Sequence, residues 1–109
     1  MLELLKAKCT VKYYDWSYHQ ARTRPNKVAV KEVSTGRETT YGQLEERSCR
    51  LASWLQNKGV KKGDRVAILI HNCTEVFELE FACAKIGAIE LPLNWRLTKR
   101  DLDYILNDS

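Results

Sequence analysis

An apolar segment flanked by helical patterns, residues 65–70, constrains the fold of this chain more than any other feature. A short uninterrupted run of Val, Ala, Ile and Leu predicts a strand that is buried on both faces, as in a parallel sheet. Residues 88–93 predict a second strand, with Pro92 at its end, where the loss of a backbone donor matters least. Because a helical pattern joins the two strands, the sequence predicts an α/β fold with a parallel sheet core and flanking helices.

The first long helix is recognised by the residues at its two ends. Thr40 and Gln43 have the spacing of a capping box, and Gly59 is placed to end the helix in a left-handed conformation. Small and apolar residues recur between them at helical spacing. The predicted buried face consists of Leu44, Ser48, Leu51, Ala52 and Leu55.

Two further helices carry similar signals. Asn72 and Glu75 have cap-box spacing ahead of a helix over residues 73–86, which is apolar round most of its circumference and ends at Gly87. Thr98 and Asp101 are expected to cap a last helix. That helix is predicted to bury Leu102, Ile105 and Leu106.

The N-terminal part predicts a helix and a β-hairpin. Asp15 is the expected N-cap of a short helix that ends before Pro25. Residues 28–33 and 37–40 predict two strands joined by a three-residue turn that contains Gly36.

Two features predict that the segment is part of a larger subdomain. A further strand is due after Ser109, and the helix over 73–86 has more apolar surface than so few elements can cover. We therefore predict an N-terminal arm, residues 1–13, followed by a truncated N-terminal α/β subdomain, residues 14–109.

The distribution of charged and apolar residues argues against a nucleic-acid-binding protein and against a membrane-spanning one. Its 18 Lys and Arg residues are scattered among 14 Asp and Glu, for a net charge of +4 over 109 residues. A nucleic-acid-binding surface requires a basic stripe with stacking aromatics, so no nucleic acid partner is expected. No segment approaches the ~20 apolar residues of a transmembrane helix, and the N-terminus lacks the apolar region of a signal peptide. These patterns predict a cytoplasmic protein.

The cysteines predict neither disulfides nor a metal site. Cys9, Cys49, Cys73 and Cys83 are irregularly spaced, without a C-x-x-C pair, and a zinc site needs closely spaced ligands. In a reducing cytosol they are expected to be free thiols. Cys49 and Cys83 fall on predicted helices, where cysteine commonly serves as a small buried apolar residue.

The carboxyl ends of the two parallel strands are the expected place for a ligand. One end holds His71, Asn72 and Cys73, which allow three interpretations. In the first, Asn72 is a helix cap in a simple turn. In the second, Cys73 is a thiolate activated by the helix N-terminus, with His71 as its base. In the third, Asn72 contributes to a ligand site of a larger protein. The sequence leaves all three open.

Three segments resemble, in order and spacing, motifs of the adenylate-forming enzymes, the AMP-dependent synthetase/ligase superfamily. Residues 39–44, Thr-Thr-Tyr-Gly-Gln-Leu, resemble the first core motif L-[TS]-Y-x-E-L, with Gln43 where Glu is usual and Thr39 where Leu is usual. Residues 58–68 are similar to the GV-x-x-GD-x-VAI link, and residues 84–94 resemble the second core motif K-x-G-A-x-x-x-P-L-N. The stretch that follows is most similar to fatty-acid or aromatic-acid acyl-CoA synthetases.

The resemblance implies a two-step ligase that uses ATP, Mg²⁺ and coenzyme A. In such a ligase a carboxylic acid, here expected to be a fatty acid, attacks the α-phosphate of ATP to give an acyl-adenylate and pyrophosphate, and the thiol of coenzyme A then displaces AMP. The phosphate loop, the ribose-binding acid and the catalytic lysine of the family lie beyond the matched segment. The resemblance therefore implies that residues 1–109 contain no catalytic residue and no metal ligand, and that the segment alone is inactive.

One binding role follows from the resemblance. The stretch after the second motif approaches the nucleotide end of coenzyme A in relatives, and it aligns with Asn94, Trp95 and Arg96. Arg96 would then meet a phosphate and Trp95 would stack on adenine. The alternative is a surface arginine beside a packing tryptophan.

A second function class stays open at this point. The chain is also interpretable as a stand-alone interaction module, related to the same subdomain but without its chemistry. The exposed strand edge at residues 89–93 would then support a homodimer, whereas in a full-length enzyme its partner is the remainder of its own chain.

Overall fold

A computed structural model describes residues 15–109, and the predicted arm over residues 1–13 lies outside the described residues. Two helices and a hairpin precede the parallel strands, as the sequence predicts, and the α/β class is confirmed. In chain order the elements are α1 (Trp16–Thr23), β1 (Val28–Lys31), β2 (Glu38–Thr40), α2 (Tyr41–Asn57), β3 (Arg65–Ile68), α3 (Thr74–Ile86), β4 (Ile89–Pro92) and α4 (Lys99–Asp108). Within residues 15–109, no helix is long and apolar enough to cross a membrane.

The strands form two small sheets. β1 and β2 pair antiparallel, with an irregularity in register between Val28 and Val30. β3 and β4 pair parallel and in register, from Arg65 opposite Ile89 to Ile68 opposite Pro92. The predicted first strand over 28–33 is too long, since β1 ends at Lys31.

The core lies where α2 and α3 pack together and against one face of the parallel sheet. Its buried side chains are Ala52, Leu55, Leu79, Ala82 and Cys83. Val66 and Ile68 of β3 pack against this cluster from the sheet. The predicted buried face of α2 is confirmed at Leu44, Ser48, Ala52 and Leu55, while Leu51 is half-buried.

The prediction that the first parallel strand is buried on both faces is wrong. Val66 and Ile68 point to the core, but Arg65 and Ala67 on the other face are exposed. The reason is that the sheet has two strands among the described residues and its helices cover one face. The burial predicted for α4 is also wrong, because Leu102 and Ile105 are half-buried and Leu106 is 46% exposed.

The local signals at the ends of α2 and at the start of α4 are confirmed. At α2, Gln43 N–H donates to Thr40 Oγ1 over 3.2 Å, and Thr40 N–H donates to Gln43 Oε1 over 2.9 Å. Val60 N–H then donates back to the carbonyl of Leu55 over 3.0 Å, which closes the helix around Gly59. The same reciprocal pair joins Thr98 and Asp101 at α4.

Gly87 joins α3 to β4 in a left-handed conformation, with a φ of 73°. Its carbonyl accepts a hydrogen bond from Gly63 N–H over 2.8 Å, which starts the pairing of the two parallel strands. A Cβ at this position would lie 2.9 Å from Cγ of Lys62. Glycine is therefore required both by the backbone angle and by the close approach of the turn before β3.

We expect Gly87→Ala to lower the free energy of unfolding by about 2 kcal/mol, through left-handed strain plus displacement of Lys62. Gly36→Ala is the matched control, because Gly36 has the same φ of 73° with no atom within 4 Å of a Cβ. It should cost about 1 kcal/mol. Urea denaturation of the purified chain measures both, and a Lys62→Ala background should remove the difference. Equal losses in the original background would contradict the contact.

Candidate functional site

The carboxyl ends of β3 and β4 meet through two aromatic rings. The imidazole of His71 and the indole of Trp95 have ring centroids 4.2 Å apart and are tilted by 44°. The last backbone bond between the two segments, Leu93 N–H to the carbonyl of Ile68, spans 2.8 Å. Beyond this hydrogen bond, the contact between the His71 and Trp95 rings joins the two segments. We call His71, Asn94, Trp95 and Arg96 the strand-end site.

Asn94 shapes the loop that presents this site. Its Oδ1 accepts the backbone N–H of Arg96 over 3.0 Å, and its carbonyl accepts the N–H of Leu97 over 3.1 Å. An asparagine that bonds the backbone two residues on forms an Asx turn. This turn sets Arg96 beside Trp95, with the guanidinium carbon 5.0 Å from the indole centroid.

The strand-end site offers a planar surface and a cation to solvent. The side chain of Trp95 is 48% exposed, and Arg96 is exposed as well. An accessible indole stacks on planar bases, and a guanidinium donates to phosphate in a forked geometry. These two groups therefore fit a phosphorylated nucleotide. Among residues 15–109 no group of three or more His, Cys, Asp or Glu side chains forms a metal centre.

The structure does not support the Cys73 thiolate hypothesis. Burial raises the pKa of the Cys73 thiol, and a hydrogen bond with Glu75 raises it further, which is opposite to the lowered pKa that an activated thiolate requires. His71 contacts Trp95. The helix-cap prediction for Asn72 is wrong, because Cys73 occupies the N-cap of α3 and makes no capping hydrogen bond through its side chain.

A residue from the hairpin takes over the capping of α3. Glu32 Oε2 accepts a hydrogen bond from Thr74 Oγ1 over 2.7 Å and from the Thr74 N–H over 3.4 Å. Arg37 forms ion pairs with Glu32 and Glu75, at 3.0 Å for the latter. The hydrogen bond from the Thr74 hydroxyl, together with Arg37, holds the pKa of Glu32 below its ordinary value despite some desolvation. A carboxylate near a helix N-terminus is also stabilised by the helix dipole.

A second ionic cluster joins α1, α2 and α3 around Lys85, the first residue of the second motif. Lys85 Nζ lies 2.7 Å from Asp15 Oδ2 and 2.9 Å from Glu45 Oε1, and its side chain is 11% exposed. Buried Ser17 donates to Glu45 Oε2 over 2.6 Å. We call Asp15, Ser17, Glu45 and Lys85 the three-helix cluster.

The pKa values of the three-helix cluster show how tightly it is paired. Desolvation opposes the charge on Lys85, yet the hydrogen bonds to Asp15 and Glu45 outweigh it and raise the pKa of the amine. Desolvation likewise opposes the charge on Asp15, and hydrogen bonds from Lys85, Tyr18 N–H and Ser17 lower its pKa. No sequence pattern predicts this cluster. Its one signal in the sequence is Lys85 itself, the only basic residue of α3.

Cys83 and Cys49, the two cysteines on described helices, lie in different environments. Cys83 is buried, as predicted, and burial together with the charge of Glu90 raises the pKa of its thiol to about 11. Cys49 is exposed, so the prediction of a buried apolar role is wrong there. Its thiol donates instead to Glu45 Oε1 over 3.3 Å, at the edge of the three-helix cluster.

Glu90 in β4 is a carboxylate on the core side of the sheet. Its Oε1 is buried, and within residues 15–109 no hydrogen-bond partner reaches it. Desolvation raises the pKa of Glu90, and the charge of Glu80 on α3 adds to the rise. Glu90 lies between apolar residues of the second motif, and no sequence pattern predicted that its carboxylate would be partly buried.

Comparison with known proteins identifies what this segment is similar to. Residues 17–109 match the model of the AMP-binding enzyme family. A feruloyl-CoA synthase from an Amycolatopsis species is 43% identical over 94 residues, which are 86% of this chain and 19% of that protein. A long-chain-fatty-acid–CoA ligase from Mycobacterium tuberculosis is 38% identical over 100 residues, which are 91% of this chain and 20% of that protein.

The folded structure agrees with these matches. A solved fatty acyl CoA synthetase from Mycobacterium tuberculosis superposes with a TM-score of 0.81 at 38% identity, over 87% of this chain and 19% of that chain. The chain thus spans about a fifth of the length of the curated relatives it matches. The residues matched to the family model, 17–109, contain the strand-end site and three members of the three-helix cluster, Ser17, Glu45 and Lys85, but not Asp15.

We expect Lys85→Met to lower the free energy of unfolding by about 2–4 kcal/mol, because it leaves Asp15 and Glu45 close together without their cation. Arg50→Met is the matched control. Arg50 pairs with Glu46 on the surface of α2, where an exposed ion pair contributes under about 0.5 kcal/mol. Urea denaturation of both variants measures the difference, and similar losses would show that the three-helix cluster does not hold the helices together.

Proposed function

This chain belongs to the AMP-binding enzyme family, and we propose that the protein it forms part of is an ATP-dependent acid–thiol ligase. The protein activates a carboxylic acid with ATP, in the presence of Mg²⁺, and passes the acyl group to coenzyme A. The observation that carries this proposal is the match of residues 17–109 to relatives named as CoA ligases or synthases. Those relatives act on ferulate or on long-chain fatty acids by name, and a fatty or aromatic acid is accordingly the proposed substrate class.

Residues 15–109 supply the framework and one part of the coenzyme A site. The Ser/Thr/Gly-rich phosphate loop expected of the family does not occur in this sequence, so ATP and Mg²⁺ are assigned to the remainder of the protein. What this segment contributes is rigid placement of two strand ends through the core and the three-helix cluster. We propose that this placement, and no proton transfer, is its share in catalysis.

We propose that Asn94, Trp95 and Arg96 contact the nucleotide end of coenzyme A. The half-exposed indole of Trp95 suits adenine, and the guanidinium of Arg96, 5.0 Å from the ring, suits a phosphate of the same nucleotide. Asn94 fixes the backbone between them. A cytoplasmic location belongs to the same proposal, and it is supported by the free thiols of Cys49, Cys73 and Cys83.

A second candidate is a self-associating module, which the uncovered faces favour. Leu69, Ile89 and Leu106 are exposed apolar side chains on the strand ends and α4. Exposed apolar surface of this kind marks interaction sites. In the leading proposal the remainder of the chain covers it, whereas in the second a further copy does.

We expect the full-length protein to exchange pyrophosphate into ATP in the presence of its acid, and the purified 109-residue chain to give no exchange above background. The reason is that phosphoryl-type chemistry needs clamped phosphates and a cation, which these residues do not supply. A panel of ferulate, octanoate and palmitate locates the acid class. Pyrophosphate exchange by the 109-residue chain alone would contradict the proposal that the remainder of the protein binds ATP and Mg²⁺.

The same samples separate the two candidates. A full-length protein without exchange activity on any acid, together with a stable dimer of the 109-residue chain in sedimentation velocity, would replace the ligase proposal with the module. Ligase activity of the full-length protein and a monomeric segment would eliminate the module.

We expect Arg96→Ala in the full-length protein to raise KM for coenzyme A about tenfold, since a charge-assisted bond to phosphate contributes about 1.5–3 kcal/mol. KM for ATP and the rate of pyrophosphate exchange should not change. Arg100→Ala, which removes an exposed arginine of α4, is the matched control and should leave all three quantities unchanged. An unaltered KM for coenzyme A in Arg96→Ala would remove Arg96 from the site.

A further inference from the structure

We propose that His71 is a positioning residue of the strand-end site, which holds the Trp95 indole in the orientation that the coenzyme A nucleotide meets. The inference rests on the proposed function for its ligand. The positioning role of His71 rests only on the geometry of its ring and that of Trp95. His71 makes no proposed contact with coenzyme A and acts through Trp95.

The first step is the register of the two strands. Ile68 and Pro92 are partners at the end of the parallel pair, and Leu93 N–H donates to the carbonyl of Ile68 over 2.8 Å. His71 follows Ile68 by three residues, and Trp95 follows Pro92 by three. Because both residues lie three positions past paired strand residues, their rings are at the same level beyond the sheet, and the ring centroids are 4.2 Å apart.

Asn94 and His71 constrain different parts of the strand-end site. The Asx turn of Asn94 sets the backbone of residues 94–96, but it leaves the indole of Trp95 free to rotate about its own side-chain bonds. A half-exposed ring in a loop samples several rotamers unless a neighbour holds it, and ordering it at binding reduces affinity. The tilted stack with His71 orders the ring before the ligand arrives.

The third step is the origin of the two residues. His71 lies in the loop between β3 and α3, whereas Trp95 lies in the loop between β4 and α4. Val66 and Ile68 of β3 pack on the core, and α3 contributes buried Leu79 to it, so the stack connects the loop after β4 to a loop that the core holds at both ends. Arg96 benefits as well, because its guanidinium lies 5.0 Å from the same indole.

The test uses the full-length protein with His71→Ala and His71→Phe. His71→Phe keeps a ring for stacking, and Asn72→Ala, at an exposed neighbouring position, is the matched control. Each variant is also made with Trp95→Phe, so that the difference in near-UV circular dichroism isolates the Trp95 indole. The steady-state readouts are KM for coenzyme A, KM for ATP and kcat.

We expect His71→Ala to lose most of the Trp95 dichroism and to raise KM for coenzyme A about three- to tenfold, the scale of one aromatic pair. KM for ATP and kcat should stay unchanged. His71→Phe should restore both the dichroism and KM for coenzyme A, and Asn72→Ala should match the unaltered protein.

Two results would overturn the inference or its premise, and they are distinguishable. An unchanged Trp95 dichroism in His71→Ala means that His71 does not position the ring. A lost dichroism with an unchanged KM for coenzyme A, in His71→Ala and in Trp95→Phe alike, means that the ring is held but coenzyme A does not meet it. The first removes the positioning role, and the second removes the coenzyme A assignment.

Discussion

The ammonium group of Lys85 is the point at which three helices of this chain meet. It lies 2.7 Å from a carboxylate at the cap of α1 and 2.9 Å from one on α2, while its own stem belongs to α3. A cation that is 11% exposed is stable only with such partners, so the positions of α1 and α2 relative to α3 are coupled through it. Because α3 leads through Gly87 into β4, the same contact fixes where the parallel sheet and the strand-end site lie.

The second constraint is the one-sided sheet. The core covers Val66 and Ile68, while Arg65, Ala67 and Ile89 are exposed. On the core side of the same sheet, one carboxylate oxygen of Glu90 is buried without a hydrogen-bond partner among the described residues. The structure thus leaves one face of the sheet uncovered and one buried carboxylate oxygen unpaired, in a segment that spans about a fifth of the length of its relatives.

Sequence reasoning succeeded where the cause of a structure lies within a few residues. The boxes at Thr40 and Thr98 and the helix end at Gly59 each involve partners no more than five positions apart, so the sequence displays them directly. It failed where the cause is distant. Asn72 lost the capping role to Glu32, which is 42 positions from Thr74, and the partners of Lys85 are 40 and 70 positions away. Topology predicted that the ends of β3 and β4 would meet, but the ring contact between His71 and Trp95 depends on side-chain rotamers that no pattern encodes.

Within residues 15–109, the side-chain ion pairs and hydrogen bonds that connect α3 to distant residues reach partners nearer the N-terminus. Thr74 reaches Glu32, Glu75 reaches Arg37, Glu78 reaches Arg47, and Lys85 reaches Asp15 and Glu45. A ribosome makes the chain from its N-terminus at about 5–20 residues per second, so every one of these partners exists before α3 emerges. The last helix of the cluster can therefore dock as soon as it is synthesised, without waiting for later parts of the protein. The order of the chain and the direction of these ion pairs therefore allow α3 to complete the three-helix cluster while later parts of the protein are still being synthesised.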